Sequence, residues 1–209
     1  MIVSLNEVES LTLKACRGAG MSWGLAEEAA QAARWLATRG CAWDRSLVAL
    51  LARRGNHASS RLTARDMHPV AEGGALCPIH AGAAVADLLR PGKHLTLHNV
   101  LEPIWLVPFA HRRAGPVHTA RLIWSDGEFE TGAADARLVS IDRLDWIRIE
   151  LSAAHAPAAD ADPAGDRVSG TPIDPSAWAA LEACAARTYV AASLQSRLAG
   201  AGAGLSDND

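Results

Sequence analysis

Apolar residues recur every three or four positions through residues 1–55, which is the spacing of amphipathic helices. Ser4 and Glu7 form a Ser-x-x-Glu capping box, a signature of a helix N-terminus. Gly20 and Gly40 follow two of the periodic stretches, at points where a helix would end. The pattern therefore predicts a layer of three N-terminal helices.

The period of the pattern changes from 3.6 to 2 in the second half of the chain. After a short helix predicted over residues 81–89, Leu95 and Leu97 alternate with polar residues, and the alternation returns over 146–151. A further strand is predicted over 137–141. Because these strands follow one another without intervening helices, the sheet within residues 76–151 is expected to be mainly antiparallel.

Two other apolar stretches extend the predicted sheet. Residues 117–124 and 128–131 flank Ser-Asp-Gly, which predicts a β-hairpin. Residues 104–109 form an apolar run that contains Pro108, and this favours an edge strand or a bulge.

The C-terminal part of the chain predicts a loop, a long helix and an ordered tail. Residues 152–173 are rich in Ala, Pro and Asp, which is typical of a surface loop. Asp174 and Pro175 then predict a helix start, and the helical pattern continues to Leu198. We expect an α+β fold in a single domain, residues 1–209, that ends in a helix and tail over 174–209.

The composition limits the classes of partner. The net charge of −3 gives no electrostatic reason to expect nucleic acid or an anionic membrane as a partner. The sequence has neither the basic and apolar pattern of a signal peptide nor an apolar run long enough to span a membrane. The four cysteines form no Cys-x-x-Cys pair, so free thiols and a cytoplasmic location are expected.

Cys77 and His80 bring a thiol and an imidazole within three residues of each other. Such a pair can act as a catalytic nucleophile with its base, or as two metal ligands. The alternative is a buried cysteine where a strand meets a helix, beside a surface histidine. His94 and His98 would lie ~13 Å apart on a strand, which is too far to chelate one ion, so no metal ligand is assigned.

Ser22 lies in a glycine-rich segment, residues 18–24, between the first two predicted helices. A phosphate-binding loop requires a preceding strand, so a tight turn between helices is the simpler interpretation. Ser22 and the neighbouring amides could nevertheless bind an anion at the start of the second helix.

The last predicted helix carries Arg187, Ser193 and Arg197, which are candidates for ligand binding. Ser193 and Arg197 are four residues apart and therefore share a helix face. The alternative is an ordinary amphipathic helix with one face in solvent.

The tail, residues 200–209, contains three glycines and several polar groups. Asp207 and Asp209 are candidate general bases or ligands for a hard cation. Leu205 is an apolar anchor that a purely solvated tail would not need. The alternative is a frayed terminus.

Several segments resemble a bacterial family known as domain of unknown function 3726. They are the opening Met-Ile-Val-Ser-Leu-Asn-Glu-Val-Glu, Arg-Gly-Ala-Gly-Met-Ser-Trp-Gly from Arg17, Leu-Cys-Pro-Ile from Leu76, and Arg-Thr-Tyr-Val from Arg187 with the glycine-rich tail. The resemblance extends over the whole chain. It implies no activity, but it implies that the tail and residues 20–28 are family features.

Residues 1–40 are also similar to the N-terminal helices of the malate/L-lactate dehydrogenase family that lacks a Rossmann fold. That family has a His-x-Ser-His-Gly motif where this chain has Gly-Cys-Ala-Trp-Asp-Arg-Ser from Gly40. The catalytic histidine has no counterpart, so the activity is not carried over.

Two functions are consistent with the sequence. The first is an enzyme, or enzyme subunit, acting on a small anionic metabolite, with Arg187 or Arg197 binding a carboxylate and Asp207 or Asp209 moving a proton. Its site would lie where the tail meets the Cys77–His80 segment or the turn at residues 20–24. The alternative is a non-catalytic binding or assembly protein that docks through its tail and exposed Trp residues. A homodimer fits either function, and no cofactor is assigned.

Overall fold

The N-terminal part of the protein is a layer of three helices. The computed structural model describes residues 1–54, 75–131, 141–153 and 170–189. Its first three helices are α1 (Leu5–Gly18), α2 (Trp23–Thr38) and α3 (Trp43–Arg54). The Ser4 hydroxyl accepts the Glu7 amide and the Glu7 carboxylate accepts the Ser4 amide, so the predicted capping box is present. The three-helix prediction is confirmed.

The small side chains of α2 allow it to pack closely against its neighbours. Its buried positions are almost all alanine, and together with one leucine they form the apolar face of the helix: Ala26, Ala29, Ala30, Ala32, Ala33, Leu36 and Ala37. Alanine has no side-chain entropy to lose and lets a second helix approach. α1 makes its most extensive helix contacts with α2, and this pair forms one wall of the core.

Within the described residues, a four-stranded antiparallel sheet forms the second part of the core. Its strands are β2 (His94–Leu101), β3 (His118–Trp124), β4 (Gly127–Glu130) and β5 (Arg143–Ala153), in the order β2-β5-β3-β4. All three pairings are antiparallel, as the sequence predicts.

The sheet has one buried face and one face that carries polar side chains. Leu95 is paired with Ile149, and Leu97 with Ile147, and all four are buried. The intervening residues point the other way because side chains alternate along a strand. His94 and His98 lie on this second face and are exposed, and within the described ranges no group of three His, Cys, Asp or Glu side chains could hold a metal ion.

The predicted hairpin is confirmed. β3 and β4 are joined through Ser125 and Asp126, and Trp124 pairs with Gly127 across the turn. The Trp124 indole fills the space that a side chain at Gly127 would need, because a Cβ at Gly127 would lie 2.8 Å from that ring.

Two helices cover the buried face of the sheet. They are α4 (Pro78–Leu88), which contacts β2, and α5 (Leu106–Ala114), which contacts β3. The prediction of an edge strand or bulge over 104–109 is wrong, because a 3-10 turn (Pro103–Trp105) leads directly into α5. Pro108 is tolerated as the third residue of α5, since N–H groups in the first turn have no acceptor within the helix.

The C-terminal helix, α6 (Pro175–Ala186), packs beside α1. The strand pair β1 (Ile2–Val3) and β6 (Thr171–Pro172) joins the starts of the two helices. At the other end, the Cα of Gly18 is so close to α6 that a Cβ there would stand 1.8 Å from the carbonyl oxygen of Cys184. α1 and α6 therefore run side by side in the same direction.

The prediction of a long C-terminal helix is wrong. α6 has 12 residues, with Arg187 as its C-cap. The amides of Arg187, Thr188 and Tyr189 donate to carbonyls three residues earlier, and the Thr188 hydroxyl donates to the Ala185 carbonyl at 2.7 Å. These bonds replace the i to i−4 pattern and end the helix. The predicted continuation of the helix to Leu198 and the predicted tail over 200–209 lie outside the described residues.

The architecture agrees with the α+β class, and the single-domain boundary stays a prediction. The buried side chains of the helices and the sheet form one hydrophobic cluster. Among the described helices, none has the length and apolar character needed to cross a membrane. Residues 137–140 of the predicted strand over 137–141, and most of the loop over 152–173, lie outside the described residues.

Candidate ligand-binding cleft

A cleft of about 290 Å³ opens between α2 and α5. Half of its lining residues are apolar or aromatic: Ala32, Trp35, Pro108 and Phe109. The other half are polar or charged: Glu28, Gln31, His111 and Arg112. Ligand sites commonly combine apolar walls with a small number of polar groups in this way.

The α2 wall of the cleft is a stripe at helical spacing. Glu28, Gln31 and Trp35 lie three and four residues apart, so their side chains leave the same side of α2. The buried alanine face of α2 points towards the core, which leaves this stripe for the cleft. The extensive packing of α2 against α1 positions this stripe.

The α5 wall is positioned through α4. Gly82 of α4 lies against the Phe109 ring, because a Cβ at Gly82 would be 2.2 Å from Cδ2 of Phe109. This close approach seats α5 on α4 with Phe109 buried. His111 and Arg112 follow in the last turn of α5 and face the cleft.

Trp35 is at the centre of a group of cationic and aromatic side chains. The guanidinium of Arg39 lies 3.7 Å from the centre of the Trp35 ring. The rings of Trp35 and His111 have centres 5.2 Å apart and are tilted by 48°. Cation–π and tilted aromatic contacts both restrain an indole. The Trp35 ring is therefore held in one orientation at the cleft.

Arg112 is oriented by three neighbours. Its Nη1 donates to Gln31 Oε1 at 3.0 Å, and its Nη2 pairs with the Glu28 carboxylate. The same guanidinium lies 5.3 Å from the centre of the Phe109 ring. A guanidinium has five N–H donors in a planar fork, so these contacts fix its plane while further N–H groups can serve a ligand.

A second polar cluster lies away from the cleft, where α3 meets the end of β2. Trp105 Nε1 donates to the Ser46 hydroxyl at 3.0 Å, and that hydroxyl donates to Glu102 Oε2 at 2.7 Å. Arg53 pairs with the other carboxylate oxygen of Glu102 at 3.4 Å. The cluster joins α3 to the 3-10 turn that precedes α5.

Glu102 is unusual in both its backbone and its burial. Its backbone is left-handed, with φ 43° and ψ 58°, and its amide donates to the Asp142 carbonyl at 2.8 Å. A left-handed conformation is uncommon for a residue other than glycine. Burial raises the pKa of Glu102, while the Ser46 hydroxyl and Arg53 act in the opposite direction. The contacts of this carboxylate are internal, which indicates a structural role.

The described candidates predicted from the sequence do not line this cleft. Cys77 is the half-buried N-cap of α4, where its thiol makes no capping hydrogen bond, and His80 lies in the first turn of the same helix. Ser22 is the exposed N-cap of α2 and makes no side-chain cap. Arg187 is exposed at the end of α6.

The remaining candidates cannot be compared with the structure. Ser193, Arg197, Asp207 and Asp209 lie outside the described residues. Their assignments stay predictions.

The Gly18–Cys184 contact brings two of the described candidates to one end of the protein. Ser22 follows α1 by four residues, and Arg187 follows Cys184 by three. Cys77 and His80 lie together on a different element, α4.

Residues 3–77 match the model of a family described as a protein of unknown function (DUF3726). The resemblance found in the sequence is therefore confirmed over these residues. The DUF3726 match includes α1, α2 and α3, and with them the α2 wall of the cleft, whereas α5 lies outside it. No curated protein and no solved structure gives a significant match to the chain.

The sequence pattern does not predict the cleft, because it favours the wrong kind of element for one of the two walls. The stripe of Glu28, Gln31 and Trp35 has helical spacing in the sequence. A strand over 104–109 would end before His111 and Arg112. The helix α5 extends over both residues and places them on one wall of the cleft. The useful signal was the run His111, Arg112 and Arg113 just before Gly115, because basic residues and a following glycine are typical of a helix C-terminus.

Proposed function

We propose that the protein binds a small anionic metabolite in the cleft between α2 and α5. The observation that carries this proposal is the position of Arg112, whose guanidinium is held at the cleft by Gln31 and Glu28. Arginine suits a carboxylate because two parallel N–H groups can engage both oxygens. Arg39, stacked on Trp35, adds a second positive charge close to the cleft.

The proposal is one of binding, and catalysis would be a further step. An enzyme or enzyme subunit would use Glu28 or His111 to move a proton on the bound molecule, since these are the lining side chains that can exchange one. The sequence-based candidates Asp207 and Asp209 would have to reach the cleft to act there.

A metabolite thermal-shift screen, followed by calorimetric titration, tests the proposed binding. Ligand that binds only the folded protein at one hundred times its Kd stabilises it by about 2.7 kcal/mol. We expect one or more small carboxylates to raise the melting temperature of the wild type, and Arg112→Gln to abolish the rise.

Arg121→Gln is the matched control. Arg121 is also a half-exposed arginine paired with a glutamate, Glu128, but it lies on the sheet and does not line the cleft. This variant should respond to ligands like the wild type. Equal stabilisation of the wild type and Arg112→Gln by every anion would contradict the proposal.

A specific observation also supports the second function, assembly through exposed aromatic residues. Trp23 is 59% exposed and Tyr189 is 68% exposed. Both lie at the end of the protein where Gly18 meets Cys184, because α1 and α6 run in the same direction. A contiguous exposed apolar patch marks an interaction surface, and we propose that these two aromatic side chains contribute to one.

The assembly proposal predicts that the full chain forms a homodimer through this end. Sedimentation analysis of the wild type should give a dimer, and the double variant Trp23→Ala, Tyr189→Ala should give a monomer. Deletion of residues 200–209 tests whether the tail takes part. A monomeric wild type would contradict assembly between copies of this chain.

A further inference from the structure

The size of the cleft restricts the kind of ligand that it can enclose. Ligand sites are commonly about 300–1,000 Å³, and the volume here, about 290 Å³, lies just below that range. A single ring with a short substituent fits such a volume, whereas a nucleotide would extend far into solvent.

The walls favour a planar apolar body. Arg39 covers one face of the Trp35 indole and His111 is tilted against the ring, so the ring is fixed and a ligand would meet the indole surface that these two side chains leave uncovered. Pro108 and Phe109, both largely buried, line the cleft on the α5 side. Aromatic rings gain energy from offset or tilted contact with an indole beyond the gain from burying their area.

The charged side chains of the cleft favour a ligand with one negative group over a ligand with two. Arg112 can donate hydrogen bonds to a ligand carboxylate, but the Glu28 carboxylate already lies beside the same guanidinium. A second negative group on the ligand would come close to Glu28, and like charges at short range repel each other. The pair therefore selects against dianions.

We infer that the ligand is a monocarboxylate with one aromatic ring, the ring lying against Trp35 and the carboxylate binding Arg112. This inference rests on the proposed binding function and adds the class of ligand. It makes Glu28 a specificity-determining residue, because Glu28 orients Arg112 and limits the negative charge that the site accepts.

The probes for the test are benzoate and four comparison molecules, titrated into the full-length protein. Cyclohexanecarboxylate keeps the carboxylate without the planar ring, and benzyl alcohol keeps the ring without the charge. Phthalate adds a second carboxylate, and succinate lacks the ring. The indole N–H resonance of Trp35, assigned by comparison with Trp35→Phe, reports contact in an NMR titration.

Benzoate should bind most tightly and should shift the Trp35 resonance. Loss of a charged hydrogen-bond partner weakens binding by about tenfold to a hundredfold, and we expect that loss for benzyl alcohol and for benzoate with Arg112→Gln. Arg121→Gln should leave benzoate affinity unchanged. Trp35→Leu should weaken benzoate without changing succinate.

Glu28→Gln gives the sharpest result. Removal of its charge should tighten benzoate binding and admit phthalate, so that the ratio of the two affinities falls by about tenfold. Far-ultraviolet circular dichroism and thermal unfolding verify that each variant is folded, and Arg112→Lys retains the charge if Arg112→Gln is not folded.

The outcomes separate the two proposals. If no anion binds through Arg112, both the proposed function and the inferred ligand class are wrong. If succinate or phthalate binds through Arg112 at least as tightly as benzoate, the proposed function stands and the inferred ligand class is overturned.

Discussion

The ring of Phe109 occupies the space that a side chain at Gly82 would fill. A Cβ built on Gly82 would lie 2.2 Å from Cδ2 of Phe109 and 2.5 Å from Cγ. This contact seats α5 on α4, and α5 carries His111 and Arg112 to the cleft. A glycine in the middle of one helix thus determines where the cationic wall of the candidate site lies.

Gly82→Ala should destabilise the protein. Overpacking a core costs about 1–3 kcal/mol, which exceeds the gain of up to about 1 kcal/mol from replacing glycine with alanine inside a helix. Urea unfolding gives the free energy, and Gly24→Ala in α2 is the control because nothing lies within 4 Å of its added Cβ. Phe109→Leu should recover part of the loss in the double variant. Equal stability of Gly82→Ala and Gly24→Ala would contradict this account.

Gly18→Ala should disrupt the α1–α6 contact and lower the stability of the protein by at least as much as Gly82→Ala does. The obstructing atom is the backbone carbonyl oxygen of Cys184, 1.8 Å from an added Cβ. A backbone atom cannot rotate away, so the two helices must separate, and the cost should reach or exceed the overpacking range of about 1–3 kcal/mol. Urea unfolding checks the value. Truncating Cys184 to Ala should give no rescue, because the carbonyl remains, and a rescue would show that the side chain is the obstruction.

Glu102 should make the stability of the fold depend on pH above the usual range of glutamate titration. Burial raises the pKa of Glu102, so the folded state binds its proton more tightly than the unfolded state does. Its contribution to stability is then greatest below the ordinary glutamate pKa and is lost as the pH rises through the raised value. The free energy of unfolding of the wild type, measured relative to Glu102→Gln, should fall across that window.

Ser46→Ala extends this experiment. The Ser46 hydroxyl donates to Glu102 and favours its charged form, so its removal should move the window to higher pH. If the wild type instead gains stability relative to Glu102→Gln as the pH rises, the Arg53 ion pair outweighs burial.

Asp174 should contribute to stability until the pH becomes strongly acidic. Its carboxylate accepts hydrogen bonds from the Ser176 hydroxyl and amide and from Arg45, and these hold the pKa of Asp174 well below its usual range. The stabilisation is fully present above the ordinary aspartate pKa and is lost as the pH falls through the lowered value. The difference in unfolding free energy between the wild type and Asp174→Ala should therefore shrink in acid.

Asp174→Asn is the control for this titration. Asparagine can also cap a helix but does not titrate, so its difference from Asp174→Ala should stay constant as the pH falls. A wild-type difference that is equally constant would show that the lowered pKa does not contribute to folding.

The sequence was most informative where the signal lies in neighbouring residues. The Ser4–Glu7 capping box and the β3–β4 hairpin were predicted and are present. Apolar runs of six residues are ambiguous between strand and helix, and this ambiguity led to the error over 104–109. The sequence predicts too long an α6 because the apolar pattern continues beyond Ala186, whereas Thr188 ends the helix through a hydrogen bond to the Ala185 carbonyl.

The sequence by itself determined the class of the fold and most of its elements, because caps, turns and periodicity act over a few residues. Tertiary structure alone decided the candidate site. Arg112 meets Gln31 and Glu28 across 81 and 84 positions of the chain. Such a meeting depends on how closely α5 can approach α4 and α2, and that distance is set by the absence of a side chain at Gly82 and by the alanine face of α2.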